Sequence, residues 1–375
     1  MTCPDCTYAA KFHSYQQRQL STVHGEVTLR RAYYYCARCR QSFVPYDDAI
    51  GLDDAIRPGL RPLVCLAGTR VPFVEAAEDV LRRFAGVRVS ASTVLRCTEA
   101  AGERLRAQCK EGRMVRPTQP EPGWTAPREA GQPAAYVGLD AFSVPMQGPG
   151  AGAAEHRMMY TALLYTPDKK HTRYLVDFEL EKLAAPVRSQ AGACGVSDVQ
   201  ELIAITDGGN GLEEALQRHL ADHLTTVLDW FHAAEHVCDF AAVWHARDEA
   251  ARHAWAREAK DIRYEQGGEA LLRHLQAVVL PPGTRDEVRE ELRKLIGYFE
   301  NNRHRTDYPT YRARGWDIGS GPTEAGCKII GARLKGSGMR WAEDGAACVG
   351  ALRALYVSGT KLWDGFWAQP HRRAA

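Results

Sequence analysis

The chain lacks any apolar run approaching the roughly 18 residues that a membrane-spanning helix needs, although 45% of its 375 residues are apolar. Its start, Met1-Thr-Cys-Pro-Asp-Cys6, has neither the basic region nor the apolar stretch of a secretory signal. A dominant charge sign is missing too: 48 basic side chains meet 46 acidic ones, for a net charge of +2. Over the whole chain that balance argues against a strongly basic nucleic-acid coat protein and against an acidic tail protein. A disulfide framework is not expected either, because the cysteines number 11 and a reducing cytosol keeps thiols free. No internal repeat stands out. These absences lead to the expectation of a soluble, cytoplasmic protein without membrane partners, of two or three domains at roughly 100–200 residues each.

Four of the cysteines are paired, as Cys3-x-x-Cys6 and Cys36-x-x-Cys39. Two such knuckles can present four thiolates to one structural Zn²⁺ with no open coordination position. The β-branched and aromatic run Val27 to Tyr35, preceded by a Gly25 turn, suits a β-ribbon between them. Residues 1–46 therefore read as a zinc ribbon; a redox pair would more often show one Cys-x-x-Cys in a βαβ context. Cys65, Cys97, Cys109, Cys194, Cys238, Cys327 and Cys348 are scattered and read as buried.

Residues 47–111 look helical. Val74–Phe84 carries apolar residues at helical spacing, Gly86 breaks it, and Ser90 can cap a second helix running to about Cys109. That is the pattern of a helix-turn-helix, whose second helix enters the DNA major groove, though any helical hairpin shares it. Arg82, Arg83 and Arg96 lie in this basic stretch. Residues 112–134 hold Pro117, Pro120, Pro122, Pro127 and Pro133 and predict an extended linker.

Beyond the linker, Ala135–Val144, Met158–Tyr165 and Thr172–Phe178 read as three antiparallel strands, with a Gly/Pro/Ala loop at 147–154. Leu202–Thr206 and Leu224–Leu228 then flank a helix-like Gly211–Leu220, the spacing of parallel crossovers. Three antiparallel strands followed by two parallel ones describe an RNase H-like sheet. The predicted fold class is α/β: an RNase H-like catalytic core in two parts (135–232 and 316–366), an all-helical insertion at 233–315, and the zinc ribbon and helix-turn-helix region ahead of them.

Three carboxylates stand at informative places. Asp140 lies in the first strand of that sheet, Asp207 directly follows the fourth, and Glu324 opens a helix behind Pro322. Each alone is more simply a turn, cap or dipole residue. Together on such a sheet, neighbouring first and fourth strands would bring the two aspartates to one edge and the following helix would add the glutamate. A carboxylate triad of this kind suits two Mg²⁺ or Mn²⁺ ions, one activating water or a 3′-hydroxyl and the other stabilising the leaving oxygen.

The fifth strand runs into Asp229-Trp-Phe-His232, which places an aspartate and an imidazole on one face of a helix start, where the imidazole can position a scissile phosphate. The overlapping His232-Ala-Ala-Glu235-His236 fits an inverted zinc-peptidase pattern, but that reading leaves the other acids unexplained. The block Gly319-Ser-Gly-Pro-Thr-Glu-Ala-Gly-Cys-Lys-Ile-Ile-Gly-Ala-Arg-Leu-Lys-Gly-Ser-Gly-Met-Arg-Trp341 adds Lys328, Arg333, Lys335 and Arg340 beside Glu324. These cations are expected to hold DNA phosphates, an ordinary solvated face being the alternative. Gly336 and Gly338 mark a break where the backbone can approach a partner closely.

These residues resemble a DDE transposase of bacterial insertion sequences, most similar to the ISKra group and akin to Mutator-type elements. The likeness runs over nearly the whole chain. It is carried by the four paired cysteines, Gly138-Leu-Asp140, Thr206-Asp207-Gly, Asp229-Trp-Phe-His232 as a C/DxxH signature, and above all the Gly319–Trp341 block. It implies that Asp140, Asp207 and Glu324 are the metal ligands, with Asp229 and His232 at the active site. It also implies that the helical insertion separates Glu324 from the aspartates. Relatives usually carry more residues before the knuckles, which points to a shortened N-terminus. The activity implied is binding of the element's terminal repeats, DNA cleavage, and joining of 3′-hydroxyl ends to target DNA, by a dimer or larger assembly at the bacterial nucleoid. A nuclease without strand transfer and a DNA-binding repressor that has lost catalysis are the rival readings.

The near-zero charge conceals a segregated one. Residues 1–46, 61–116 and 321–340 together carry 21 basic and nine acidic side chains, or +12, which leaves −10 elsewhere. The three segments expected to touch DNA are the basic ones.

Overall fold

The computed structural model describes residues 1–22, 24–50, 52, 56, 59–125, 134–148, 155–196, 201–208, 211–220 and 224–369. At the N-terminus, β1 (Lys11–Thr22) and β2 (Gly25–Tyr35) form a long antiparallel ribbon, with β3 (Ser42–Phe43) short beside β2. Helix α1 (Pro45–Ala49) is held against the ribbon by Asp47, which receives Arg18 at 3.2 Å and Arg31 at shorter range.

Next come α2 (Arg61–Arg70), α3 (Phe73–Glu75) continuing as a π-helix over Ala76–Phe84, and α4 (Ala91–Lys110). Ser90 caps α4 as expected, its hydroxyl accepting from the Thr93 N–H at 3.2 Å. Val64, Ala67, Ala76, Leu81 and Val94 close a small core among these helices. The second half of α4 does not stand free. Ala101 and Leu105 share a core with Cys65 of α2, with Leu352 and Leu355 of α13 (Glu343–Val357), and with Trp363 and Phe366 of α14 (Thr360–Ala368). The helical region is thus fused by packing to the C-terminal helices.

The linker also differs from an extended tether over the residues described. Thr118 donates to the Lys361 carbonyl at 3.1 Å, and Pro122–Thr125 forms a 3₁₀ turn that buries Trp124 in the sheet's core. Prolines fix the backbone without forbidding burial, and an indole face outweighs the compositional bias toward solvent. The rest of the predicted linker, 126–133, and loop positions 149–154 lie outside the described residues.

The main sheet has five strands: β4 (Ala134–Met146), β5 (Glu155–Tyr165), β6 (Thr172–Asp177), β7 (Glu201–Thr206) and β8 (Leu224–Leu228). Their order is β6-β5-β4-β7-β8. The first three pair antiparallel, while β4–β7 and β7–β8 are parallel, as the spacing predicted. Helices α5 (Leu180–Ala193) and α6 (Leu212–Leu220) are the crossovers, and near-continuous burial of β4 and β7 follows from cover on both faces.

From β8 the chain enters α7 (Trp230–Trp244), α8 (Glu249–Gln266), α9 (Gly268–Gln276), α10 (Asp286–Asn301) and α11 (Tyr308–Ala313). This helical unit has its own core around Val237, Phe240, Leu271, Leu292 and Phe299. Helix α12 (Gly321–Leu334) then lies across β4 and β5. Gly338, at φ 75°, belongs to the turn after α12 that returns the chain so that Trp341 bonds Pro145 and Gln147 at the end of β4. The glycines read as a place for a partner serve this internal turn. Among the described residues no helix is long and apolar enough to cross a membrane.

Candidate functional site

The two cysteine knuckles are built alike. In each, the first cysteine's N–H donates to a carbonyl five residues on, Cys3 to Tyr8 at 2.8 Å and Cys36 to Gln41 at 2.9 Å. The residue after each second cysteine, Thr7 or Arg40, has φ 58°, a left-handed conformation that most side chains avoid. The four sulfurs lie within 4.8 Å of one another, with Cys3–Cys39 and Cys6–Cys36 both at 3.5 Å. A tetrahedral zinc site with Zn–S bonds of about 2.3 Å has sulfur–sulfur edges of about 3.8 Å, so this donor set fits a structural Zn²⁺. The Cys39 backbone N–H beside Cys36 favours its thiolate and brings that thiol down to about 7.

The ribbon's core there is small, with Cys3, Ala10 and Cys36 fully buried. That area is small beside a backbone ordering cost of roughly 1–2 kcal/mol per residue, and a bound Zn²⁺ would supply stability that it lacks. Stripping zinc with a chelator, or Cys36→Ser, is therefore expected to unfold the knuckles and leave the main sheet folded. Hydrogen exchange would show protection lost at 1–46 alone; unchanged protection there would sink the structural role.

The acids are delivered by three separate elements. Asp140 sits on β4 opposite Thr161 of β5. Asp207 follows Thr206, the last residue of β7, whose own partner is Leu228 on β8. Glu324 is in the first turn of α12. The helix reaches the sheet because Gly138 has no side chain: a Cβ there would stand 1.7 Å from Thr323 Oγ1. Burial pushes the Asp140 carboxyl up; the Ala141 N–H and Cys327 oppose this, while Asp207 and Glu324 add to it. Asp207 and Glu324 are thus both within electrostatic reach of Asp140.

Asp140 and Glu324 line a single groove with Phe142, Cys327, Lys328 and Lys335. They are not drawn into a tight knot. Among the described residues, the four cysteines are the one group of three or more metal-type ligands all within 4.8 Å. Glu324 is held toward its own helix by Ser320 Oγ at 3.2 Å and Lys328 Nζ at 3.9 Å. The expected metal-bridging contact of all three acids is therefore absent from this arrangement, although the donors are hard carboxylate oxygens of the kind Mg²⁺ and Mn²⁺ take.

Asp229 is held in a structural clamp. It is the N-cap of α7, and Oδ1 accepts the His232 backbone N–H at 2.6 Å. Oδ2 accepts the Ser320 N–H in the loop leading to Glu324. With both oxygens on backbone N–H groups and the residue 1% exposed, Asp229 clamps two helix starts together. Its spacing to His232 is that of a cap, not of a carboxylate–imidazole couple on one helix face. His232 is half-exposed, with Nδ1 3.5 Å from Glu235. Its ring meets His236 edge-on at 5.2 Å, and His236 lies against Tyr298 at 4.2 Å. The inverted-peptidase pattern does not assemble a three-ligand cluster here.

Residues that spacing did not reveal surround Asp207. The Tyr298 hydroxyl donates to the Asp207 carbonyl at 3.2 Å. Buried Arg305 donates to Thr206 Oγ1 at 2.8 Å and pairs with Glu213 at 2.9 Å. The helical insertion thus braces the strand end that carries Asp207, through partners about ninety positions away in sequence. Cys327 was legible in principle, being one helical turn past Glu324; it contacts Asp140, and burial raises its thiol to about 12.

The basic residues divide. Arg96, Lys328, Lys335 and Arg340 are exposed. Arg82 and Arg83 are exposed but paired within their helix to Glu78 at 2.8 Å and Asp79 at 3.0 Å. Arg333 is corrected outright: it is 2% exposed, donates to the Gly68 carbonyl at 2.8 Å, and is packed on Phe73 and Trp341. It pins α2 to α12 and is not available to phosphate. Compared with known proteins, the chain matches no protein-family model and no curated protein.

Proposed function

We propose that this chain is a metal-dependent DNA transposase with an RNase H-like core, of the DDE kind to which its motifs are similar. One observation carries the reading: Asp140, Asp207 and Glu324 come from a central strand, its parallel neighbour and a covering helix, and Asp140 is electrostatically tied to both others. The sheet order β6-β5-β4-β7-β8, antiparallel then parallel, supports the RNase H-like assignment. The zinc ribbon and the helices α2 to α4 are proposed to bind terminal-repeat DNA, with Arg96 on an exposed face of α4.

The acids would hold two Mg²⁺ or Mn²⁺ ions, which supply activation of the attacking oxygen and stabilisation of the leaving one. Lys328 and Lys335, on the same groove, would take the flanking phosphates. Water attack breaks a P–O bond at the element end, leaving a 3′-hydroxyl and a 5′-phosphate. That hydroxyl then attacks a target phosphodiester and displaces its 3′ oxygen, so the number of phosphodiesters is conserved with no covalent enzyme intermediate. Two ends must meet, which calls for a dimer or larger complex.

The test incubates the purified chain with Mg²⁺ and labelled DNA from the element's ends. The wild type is expected to cleave and join, and Asp207→Asn to lose both by at least about 10²-fold. Binding without cleavage would overturn the reading, and cleavage without joining would favour a nuclease.

A further inference from the structure

We infer that Phe231 is a stacking platform for a nucleobase displaced from the duplex beside the cut. The inference rests on the transposase reading and adds a substrate contact to it. Phe231 occupies the first turn of α7, between the capping Asp229 and His232. The residue is 64% exposed, yet its backbone is fixed: Asp229 binds both the His232 N–H and the Ser320 N–H, and the Trp230 N–H donates to the Ile318 carbonyl at 2.8 Å. The ring therefore stands at the same sheet edge as Asp207, three residues past the Thr206–Leu228 pair.

The loop that leads to Glu324 passes the ring at Gly319. A Cβ on Gly319 would lie 2.7 Å from Phe231 Cε2 and 2.9 Å from Cδ2. The absence of that side chain lets the ring keep its place next to the loop. Single exposed apolar residues are common; this one stands on a fixed backbone and abuts the loop that carries a candidate acid, a place where a ligand would meet it. In a polyanionic substrate held by Lys328 and Lys335, the planar apolar groups are the bases. Inside a duplex they are covered, so the ring can engage one only after it leaves the stack.

The test compares the wild type, Phe231→Ala and Phe231→Trp on end DNA with Mg²⁺, intact or with an abasic nucleotide at each position flanking the cut. Thermal melts check folding, which loss of an exposed ring should not disturb. Phe231→Ala is expected to cut intact DNA about 10- to 100-fold more slowly, Phe231→Trp to stay near wild type, and one abasic position to restore the Ala variant. A 2-aminopurine base at that position should brighten on binding the wild type and stay dim with the Ala variant. Equal cleavage by wild type and Phe231→Ala would overturn the platform and leave the transposase reading standing. A loss that neither Trp nor an abasic site restores would do the same, since that is the behaviour of a structural residue or of a contact to a second copy of the chain. No cleavage by the wild type would overturn both.

Discussion

Gly138→Ala is expected to cost about 1–3 kcal/mol of stability and to slow DNA cleavage about 10²-fold. The added Cβ would sit 1.7 Å from Thr323 Oγ1 and 2.8 Å from its Cβ. Strand β4 cannot yield, because Gly138 is paired with Leu163 on one side and Ile205 on the other. Thr323 is 1% exposed and has no room either. Helix α12 must then move off the sheet, and Glu324 moves with it while Asp140, two residues along the strand, stays. Thr323→Gly in the same chain should recover most of the cleavage, less the roughly 1 kcal/mol that a helical glycine costs. Denaturant melts and cleavage rates for the two single variants and the double variant form the test. A Gly138→Ala protein as stable and as active as the wild type would refute the close approach.

What the sequence disclosed followed from local chemistry. Strand Leu224–Leu228 and the helix capped by Ser90 appear where β-branched runs and a cap residue placed them. The cysteine set was legible because two knuckles of identical spacing have few other uses. Charge summed by region misses what individual residues do. Arg333 sits one helical turn and a residue past Lys328, but it faces α2, which lies about 265 positions earlier. Arg18 and Arg31 are taken up by Asp47, just outside the segment over which the charge was summed. A one-dimensional count cannot see either pairing, so the basic surface is narrower than +12 suggests. Likewise, Asp and His three apart fit both a helix face and an N-cap, and only the position of the helix start separates the two.

Asp229→Asn is expected to lower stability by about 3 kcal/mol, the second large effect. An amide offers one acceptor oxygen where the carboxylate offers two, so either the His232 or the Ser320 N–H would face an NH₂ donor in a buried place. The charge matters as well. Arg263, 0% exposed, donates to the Trp230 carbonyl at 2.8 Å and lies 3.8 Å over the Trp230 ring. Burial pulls its pKa down, and Tyr308, Tyr298 and, after them, Asp229 oppose this. Neutralising Asp229 removes one of the influences that favour the buried guanidinium. The penalty should shrink when the cation is removed too, so Asp229→Asn with Arg263→Met should lose at least ~1 kcal/mol less than the two single changes added together. Melting curves of the four proteins measure the coupling, and strict additivity would refute it. Cleavage assays on the same set separate clamp from chemistry: if Asp229 takes part in the reaction, Asn abolishes cleavage even under conditions where the variant is fully folded. If it joins the starts of α7 and α12, activity and stability fall together across the set.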